Sequence, residues 1–148
     1  MARREKWLLM SGINTRRVIL GGLVAGLIAN AFDFVITQYF MSTEFDLMRT
    51  RLNVSTAAIG SWVWVFAIAD FAWGFLLVFT YAAIRPRFGP GPITAFISGI
   101  MLWLVIAIFG VLLMAMGLHT PQSYLKSSAL HLVAALGSSL IGATLYKE

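Results

Sequence analysis

The sequence predicts an all-α integral membrane protein, a four-helix bundle that forms a single domain over residues 1–148. Of the 148 residues, 59% are hydrophobic and 11% are charged, whereas about 25% of residues are charged in ordinary soluble domains. The mean hydropathy is +0.84. Four apolar runs each approach the roughly 20 residues that a helix needs to cross a bilayer. Because lipid offers backbone polar groups no partner, each run is expected to be helical.

The apolar runs define four predicted spans. They cover residues 18–41, 62–84, 93–116 and 125–146. Tyrosine and tryptophan residues lie near the ends of several runs, where amphipathic rings settle at the membrane–water interface. The spans account for most of the chain, so little mass is expected outside the membrane.

Two of the connections also carry structural signals. Between the first two spans, STEFDLMRTRL places Phe45, Met48 and Leu52 at helical spacing, with Ser42 or Thr43 as a helix cap. We predict a short helix there, lying on the outer membrane surface. Between the second and third spans, the prolines of RPRFGPGP are expected to end one helix and begin the next.

Basic residues divide unequally between the two ends of the spans. One end carries Arg3, Arg4, Lys6, Arg16, Arg17, Arg85, Arg87 and Lys147, and the other carries Arg49, Arg51 and Lys126. The positive-inside rule therefore predicts that both termini are cytoplasmic. Arg16, Arg17, Arg85 and Arg87 are expected to contact lipid headgroups or a partner protein.

Polar side chains interrupt the apolar runs at a common depth. These residues are Asn30 and Asp33 in the first span, Asp70 in the second and His131 in the fourth. At 1.5 Å per residue, the ionisable three fall roughly 5–6 Å from the bilayer midplane, toward the outside. A charge near mid-membrane costs about 2.5–3.5 kcal/mol on insertion scales. We therefore expect the four side chains to face one another inside the bundle.

Three interpretations of this intramembrane polar cluster stay open. It is a polar knot that fixes helix register, a proton- or ion-handling site, or a metal or cofactor site. No His-x-x-x-His or Glu-x-x-His spacing supports a metal, so none is predicted. Nothing in the sequence requires a cofactor, and the remaining option is a single pigment or haem on His131.

Other function classes find no support in the sequence. The absence of cysteine excludes disulfides, thiolate metal sites and cysteine nucleophiles. No nucleophile-and-base pair or glycine-rich phosphate loop occurs, so we do not predict an enzyme. The net charge of +5 is interpreted as a topology signal. Nucleic-acid binding is not predicted, because no basic face stands apart from the apolar segments.

The segment TYAAIRPRFGPGPITAFISG, residues 80–99, resembles a segment of small uncharacterised bacterial four-helix integral membrane proteins. Its distinctive part is the turn YAAIRPRFGPGP. The resemblance implies four helices and a bacterial inner membrane, and it implies no activity, cofactor or functional residue.

The predicted function is that of a non-catalytic accessory or scaffold subunit in a larger membrane complex, such as a respiratory or photosynthetic one. The chain has almost no extramembrane mass and a single polar cluster, which favours this interpretation. The alternative is a small oligomeric transporter or proton-coupled channel that uses Asp33, Asp70 and His131. Expected partners are membrane lipids and either other membrane subunits or further copies of this chain.

Overall fold

The computed structural model describes residues 12–147 and contains six α-helices in that part of the chain. They are α1 (Thr15–Val35), α2 (Ser42–Arg51), α3 (Thr56–Gly60), α4 (Val63–Phe88), α5 (Pro92–Ala115) and α6 (Pro121–Thr144), and a π-helical turn, Ile36–Phe40, extends α1. No strand occurs in this range. By length and apolar composition, four helices can cross a membrane, as the sequence predicts: α1 with its π-helical turn, α4, α5 and α6.

The four long helices pack side by side. α1 contacts α4 and α6, and α5 contacts the same two helices, while α4 and α6 also touch each other. We call the end of the bundle that holds Asn14 and Lys147 the terminal end, and the end that holds α2 and α3 the loop end. Three basic residues used to predict topology, Arg3, Arg4 and Lys6, lie outside the described residues.

Glycines allow α1 to approach its neighbours closely. A Cβ atom added to Gly74 of α4 would lie 2.5 Å from the carbonyl oxygen of Gly22 and 2.6 Å from the Cα of Gly26. A Cβ on Gly142 of α6 would lie 2.9 Å from the carbonyl oxygen of Gly21. Such small-residue contacts let transmembrane helices associate where lipid removes the hydrophobic driving force.

Most buried side chains lie in the terminal-end half of the bundle. They include Val18, Ala25, Leu77, Val78, Tyr81, Ala82, Ala95, Ser98, Ser138, Ser139 and Ala143. Ser98 Oγ and Ser139 Oγ lie 2.8 Å apart, and Ser139 Oγ donates to the carbonyl of Ala95 at 2.7 Å. Small apolar packing and these hydrogen bonds therefore hold α5 and α6 together at this end.

The loop-end half is much more open. Residues 61–66, at the start of α4, are exposed, and α5 buries no residue after Gly99. α1 and α6 remain in contact there through the buried side chains of Ile36, Met41 and Ala134. The bundle is thus tightly packed at one end and loosely packed at the other.

The π-helical turn explains how Ile36 and Met41 share a buried face. Residues five apart differ by about 140° around an α-helix axis, so they point in different directions. Here the backbone N–H of Met41 donates to the carbonyl of Ile36 at 2.8 Å, which is the i→i+5 bond of a π-helix. The wider turn brings both side chains against α6.

Pro86 does not end the second long helix, so that prediction is wrong. α4 continues through Pro86 to Phe88 and ends at Gly89, whose φ of 84° suits glycine. Proline is tolerated because it lies in the last turn, where few backbone hydrogen bonds depend on it. Pro92 and Pro121 do begin helices, as proline favours. The fourth span consequently starts four residues earlier than predicted.

The predicted short helix after the first span exists, but its cap is different. α2 follows Met41, and neither Ser42 nor Thr43 caps it with its side chain. Glu44 of α2 pairs with Lys126 of α6 at 2.8 Å, and this hydrogen bond lowers the pKa of the Glu44 carboxyl. α3, which the sequence pattern did not predict, is capped by a Ser55 hydroxyl.

Candidate functional site

The intramembrane polar cluster is centred on a contact between α1 and α6. Asp33 Oδ1 lies 3.2 Å from Nε2 of His131. The other ring nitrogen, Nδ1, lies 2.7 Å from the carbonyl oxygen of Ser127 and 3.2 Å from its hydroxyl oxygen. A carbonyl oxygen can only accept, so the hydrogen bonding assigns the proton of the neutral imidazole to Nδ1.

This tautomer determines how many protons the Asp33–His131 contact holds. With Nδ1 protonated, a neutral ring would present the lone pair of Nε2 to a carboxylate, and the two would repel. The contact therefore needs one proton between Nε2 and Asp33 Oδ1. The pair is either imidazolium with carboxylate or imidazole with carboxylic acid, and its net charge is zero in both forms.

Asn30 joins α1 to α4 rather than joining the charged pair. Its Nδ2 donates to the carbonyl of Gly26 at 2.9 Å and to the carbonyl of Ala67 at 3.3 Å. Both acceptors are backbone groups, so the side chain sets the register between the two helices. Asp70 follows Ala67 by three residues on α4, and Asn30 therefore also sets the height at which Asp70 lies.

Asp70 is the third ionisable member of the cluster. It is close enough to Asp33 and His131 to interact electrostatically with both. Its carboxyl makes no side-chain hydrogen bond to any residue in the range 12–147. Three helices thus contribute ionisable groups at one level, and the Asp70 carboxyl is the member with unused hydrogen-bonding capacity.

The cluster is not fully enclosed by its own chain. The Asp33 side chain is 35% exposed and the His131 side chain is 29% exposed. Asp70 is likewise only partly buried, and the stretch of α4 before Ala67 is exposed on all sides. The polar groups therefore lie at the floor of the open loop-end half and are not sealed within a core.

A cavity of about 120 Å³ between α5 and α6 reaches the cluster from the loop end. His119, in the turn between these helices, lines one part of it, and His131 lines another. Tyr124 and Ser127 contribute polar groups between them. The cavity gives polar molecules a route from the loop end to the imidazole ring.

The geometry limits which cofactor or metal this site can hold. Both ring nitrogens of His131 are engaged, so a pigment or haem would have to displace Asp33 from Nε2. Among residues 12–147, no three His, Cys, Asp or Glu side chains are arranged to hold a metal ion. The cluster is better suited to holding and moving a proton than to ligating an ion.

The predicted basic contact residues all lie at the terminal end. Arg16, Arg17 and Arg87 are exposed, whereas Arg85 is partly buried. The Arg85 guanidinium carbon lies 5.5 Å from the centroid of the Tyr146 ring, a cation–π contact. Arg85 also lines a second cavity, of about 450 Å³, at this end.

Sequence reasoning missed two polar contacts that fix α5 against α6. The indole N–H of Trp103 donates to the carbonyl of Ser128 at 2.9 Å, and the Tyr124 hydroxyl donates to the carbonyl of Ala107 at 3.0 Å. The available signal was the position of Trp103 near mid-span, because a buried indole N–H needs an acceptor. These bonds keep α6, and with it His131, in position.

No protein family, curated protein or solved structure matches this chain.

Proposed function

We propose that the protein is a non-catalytic subunit of a membrane assembly, and that the flank carrying Asp33 and His131 meets another transmembrane helix. The observation that carries this proposal is the exposure of about a third of both side chains on the surface of a membrane span. Charged groups facing hydrocarbon are costly, even as a pair, because lipid cannot hydrogen bond to them. A covering helix with a polar group would remove this cost.

The open loop-end half supports the same proposal. Trp62, Trp64 and Phe66 are each 59% exposed and lie where α4 has no neighbouring helix. Aromatic side chains of this size are typical of contact surfaces between proteins. Asp70, with its unused hydrogen-bonding capacity, would offer the partner a specific polar contact.

Topology and location belong to the same proposal. Among residues 12–147, the terminal end carries Arg16, Arg17, Arg85, Arg87 and Lys147, and the loop end carries Arg49, Arg51 and Lys126. This bias supports cytoplasmic termini and a bacterial inner membrane. α2 would then lie at the outer surface, with the apolar side chains of Phe45 and Leu52 directed toward the headgroups.

Site-specific photo-crosslinking in native membranes tests the subunit proposal. A crosslinking residue at Thr37, one turn beyond Asp33, is expected to give a discrete protein adduct, either with a second copy or with another subunit. The same residue at Ile108 on α5, which is 65% exposed, serves as a lipid-facing control. Asp33→Asn should reduce the Thr37 adduct, and Asp46→Asn, which changes an exposed loop-end carboxylate, should not. A Thr37 crosslinker that reacts only with lipid would contradict the proposal.

The second candidate is a small oligomeric transporter or proton-coupled channel. The cavity from His119 to His131 favours it, because it leads from the loop end to a contact that shares one proton. Asp70 is the nearby group that could exchange this proton. The glycine contacts close the other half of the same bundle, so a complete pathway would need more than one copy.

Proton flux into liposomes tests this second candidate. Asp33→Asn and Asp70→Asn are each expected to abolish flux while the protein stays folded and assembled, and Asp46→Asn should retain it. Intact flux in both cluster variants would exclude the transport function.

A further inference from the structure

The terminal-end cavity is the largest space that the intramembrane polar cluster does not explain. It has a volume of about 450 Å³ and lies between α4, α5 and α6. Arg85 and Lys147 bring positive charge to its lining, and Tyr81 and Tyr146 bring hydroxyl groups. Leu140 and other apolar residues form much of the remaining wall. The lining therefore combines cationic, hydrogen-bonding and apolar surfaces.

The two tyrosine hydroxyls are held in place with a proton to spare. Tyr81 is 4% exposed and accepts a hydrogen bond from the backbone N–H of Gly91 at 3.2 Å. Tyr146 is 5% exposed and accepts one from the backbone N–H of Asn14, also at 3.2 Å. Neither hydroxyl donates to an acceptor within residues 12–147. Each remains able to donate to a ligand oxygen.

The charge around this cavity has one sign. The acidic residues within the range that the structure describes are Asp33, Glu44, Asp46 and Asp70, and all of them lie in the loop-end half. At the terminal end, Arg85 packs over the Tyr146 ring and Lys147 is exposed beside it. A ligand in the cavity would thus meet cations without a competing carboxylate from these residues.

We propose that this cavity binds the phosphate of an anionic phospholipid headgroup. Arg85 and Lys147 supply the charge, and the Tyr81 and Tyr146 hydroxyls donate hydrogen bonds to phosphate oxygens. The cavity opens at the end of the spans, where headgroups lie, and Ile141 on its lining is 43% exposed and available to an acyl chain. A zwitterionic headgroup is disfavoured because its own cation would be repelled by Arg85.

Lipid titration of the full-length protein tests this inference independently of the partner proposal. The protein in detergent is titrated with phosphatidylglycerol, phosphatidylcholine or inorganic phosphate, and bound lipid is counted by native mass spectrometry. Phosphatidylglycerol is expected to bind at least about tenfold more tightly than phosphatidylcholine. Lys147→Gln should weaken phosphatidylglycerol binding about fivefold, since a basic residue near a membrane surface contributes that much. Arg85→Gln should weaken it about tenfold or more, because its bonds to phosphate are charge-assisted.

Arg87→Gln is the matched control. It removes the same charge from the same end, but Arg87 does not line the cavity, so less than a twofold change is expected. Lys147 is exposed at the end of the chain, so Lys147→Gln remains informative if Arg85→Gln fails to fold. Equal losses in Lys147→Gln and Arg87→Gln would overturn the inference, as would equal affinity for the two lipids. Competition by inorganic phosphate at the concentration of the lipid would overturn a phospholipid as the ligand.

Discussion

Replacing Gly74 with alanine should separate α1 from α4. The new methyl group would lie 2.5 Å from the carbonyl oxygen of Gly22, and ordinary contact begins at 3.4 Å, so the helices must part by 3.4 − 2.5 = 0.9 Å. The neighbours are backbone atoms, which cannot rotate away as a side chain can. Overpacking of this kind costs up to about 3 kcal/mol. The better helix propensity of alanine returns up to about 1 kcal/mol, which leaves a net loss of about 2 kcal/mol.

Reversible unfolding in mixed micelles of increasing SDS content measures this loss. Gly60→Ala is the control, because nothing lies within 4 Å of its added Cβ and only the propensity gain applies. Separation of the helices should also stretch the 3.3 Å hydrogen bond from Asn30 to Ala67. If Gly74→Ala proved as stable as Gly60→Ala, close helix approach at this glycine would be refuted.

Three further predictions concern polar contacts between helices. A double-mutant cycle of Asp33→Asn and His131→Gln, measured by the same unfolding, should give a coupling energy of about 0.6–1.7 kcal/mol, the range of hydrogen bonds between membrane helices; zero coupling would argue against their contact. Because the Glu44 pKa is lowered in the folded protein, its pairing with Lys126 stabilises above the unfolded pKa, and this is lost as pH falls through the folded value. A carboxyl NMR titration should accordingly give Glu44 a lower midpoint in wild type than in Lys126→Gln. Trp103→Phe should destabilise by about 1 kcal/mol because a part-buried carbonyl loses its donor, and an unchanged unfolding midpoint would contradict this role.

Hydropathy predicts the four long helices well because the bilayer constrains them so strongly. A backbone segment in lipid must satisfy its own hydrogen bonds, so a sufficiently long apolar run has little alternative to a helix. The helix ends were less predictable. Pro86 interrupts the hydropathy pattern but lies within the last turn of α4, where the helix tolerates it.

The cluster shows where sequence periodicity stops being informative. Spacing put Asn30 and Asp33 on one stripe of α1, yet Asn30 bonds to α4 and Asp33 meets α6. A stripe identifies a polar face but not which of two flanking helices each side chain will reach. The π-helical turn was also beyond reach, because an α-helical repeat cannot place Ile36 and Met41 on one face.

The uneven packing of the bundle makes the site sensitive to bilayer thickness. α4 has 26 residues, about 39 Å at 1.5 Å per residue, and is longer than a typical hydrocarbon layer of about 30 Å. Glycine contacts hold its terminal-end half in place, so the mismatch is absorbed by tilting of its unsupported loop-end half. Asp70 lies near the pivot between these halves. A thinner membrane would therefore swing its carboxylate relative to Asp33 and His131, so that lipid chain length tunes the charge balance of the site.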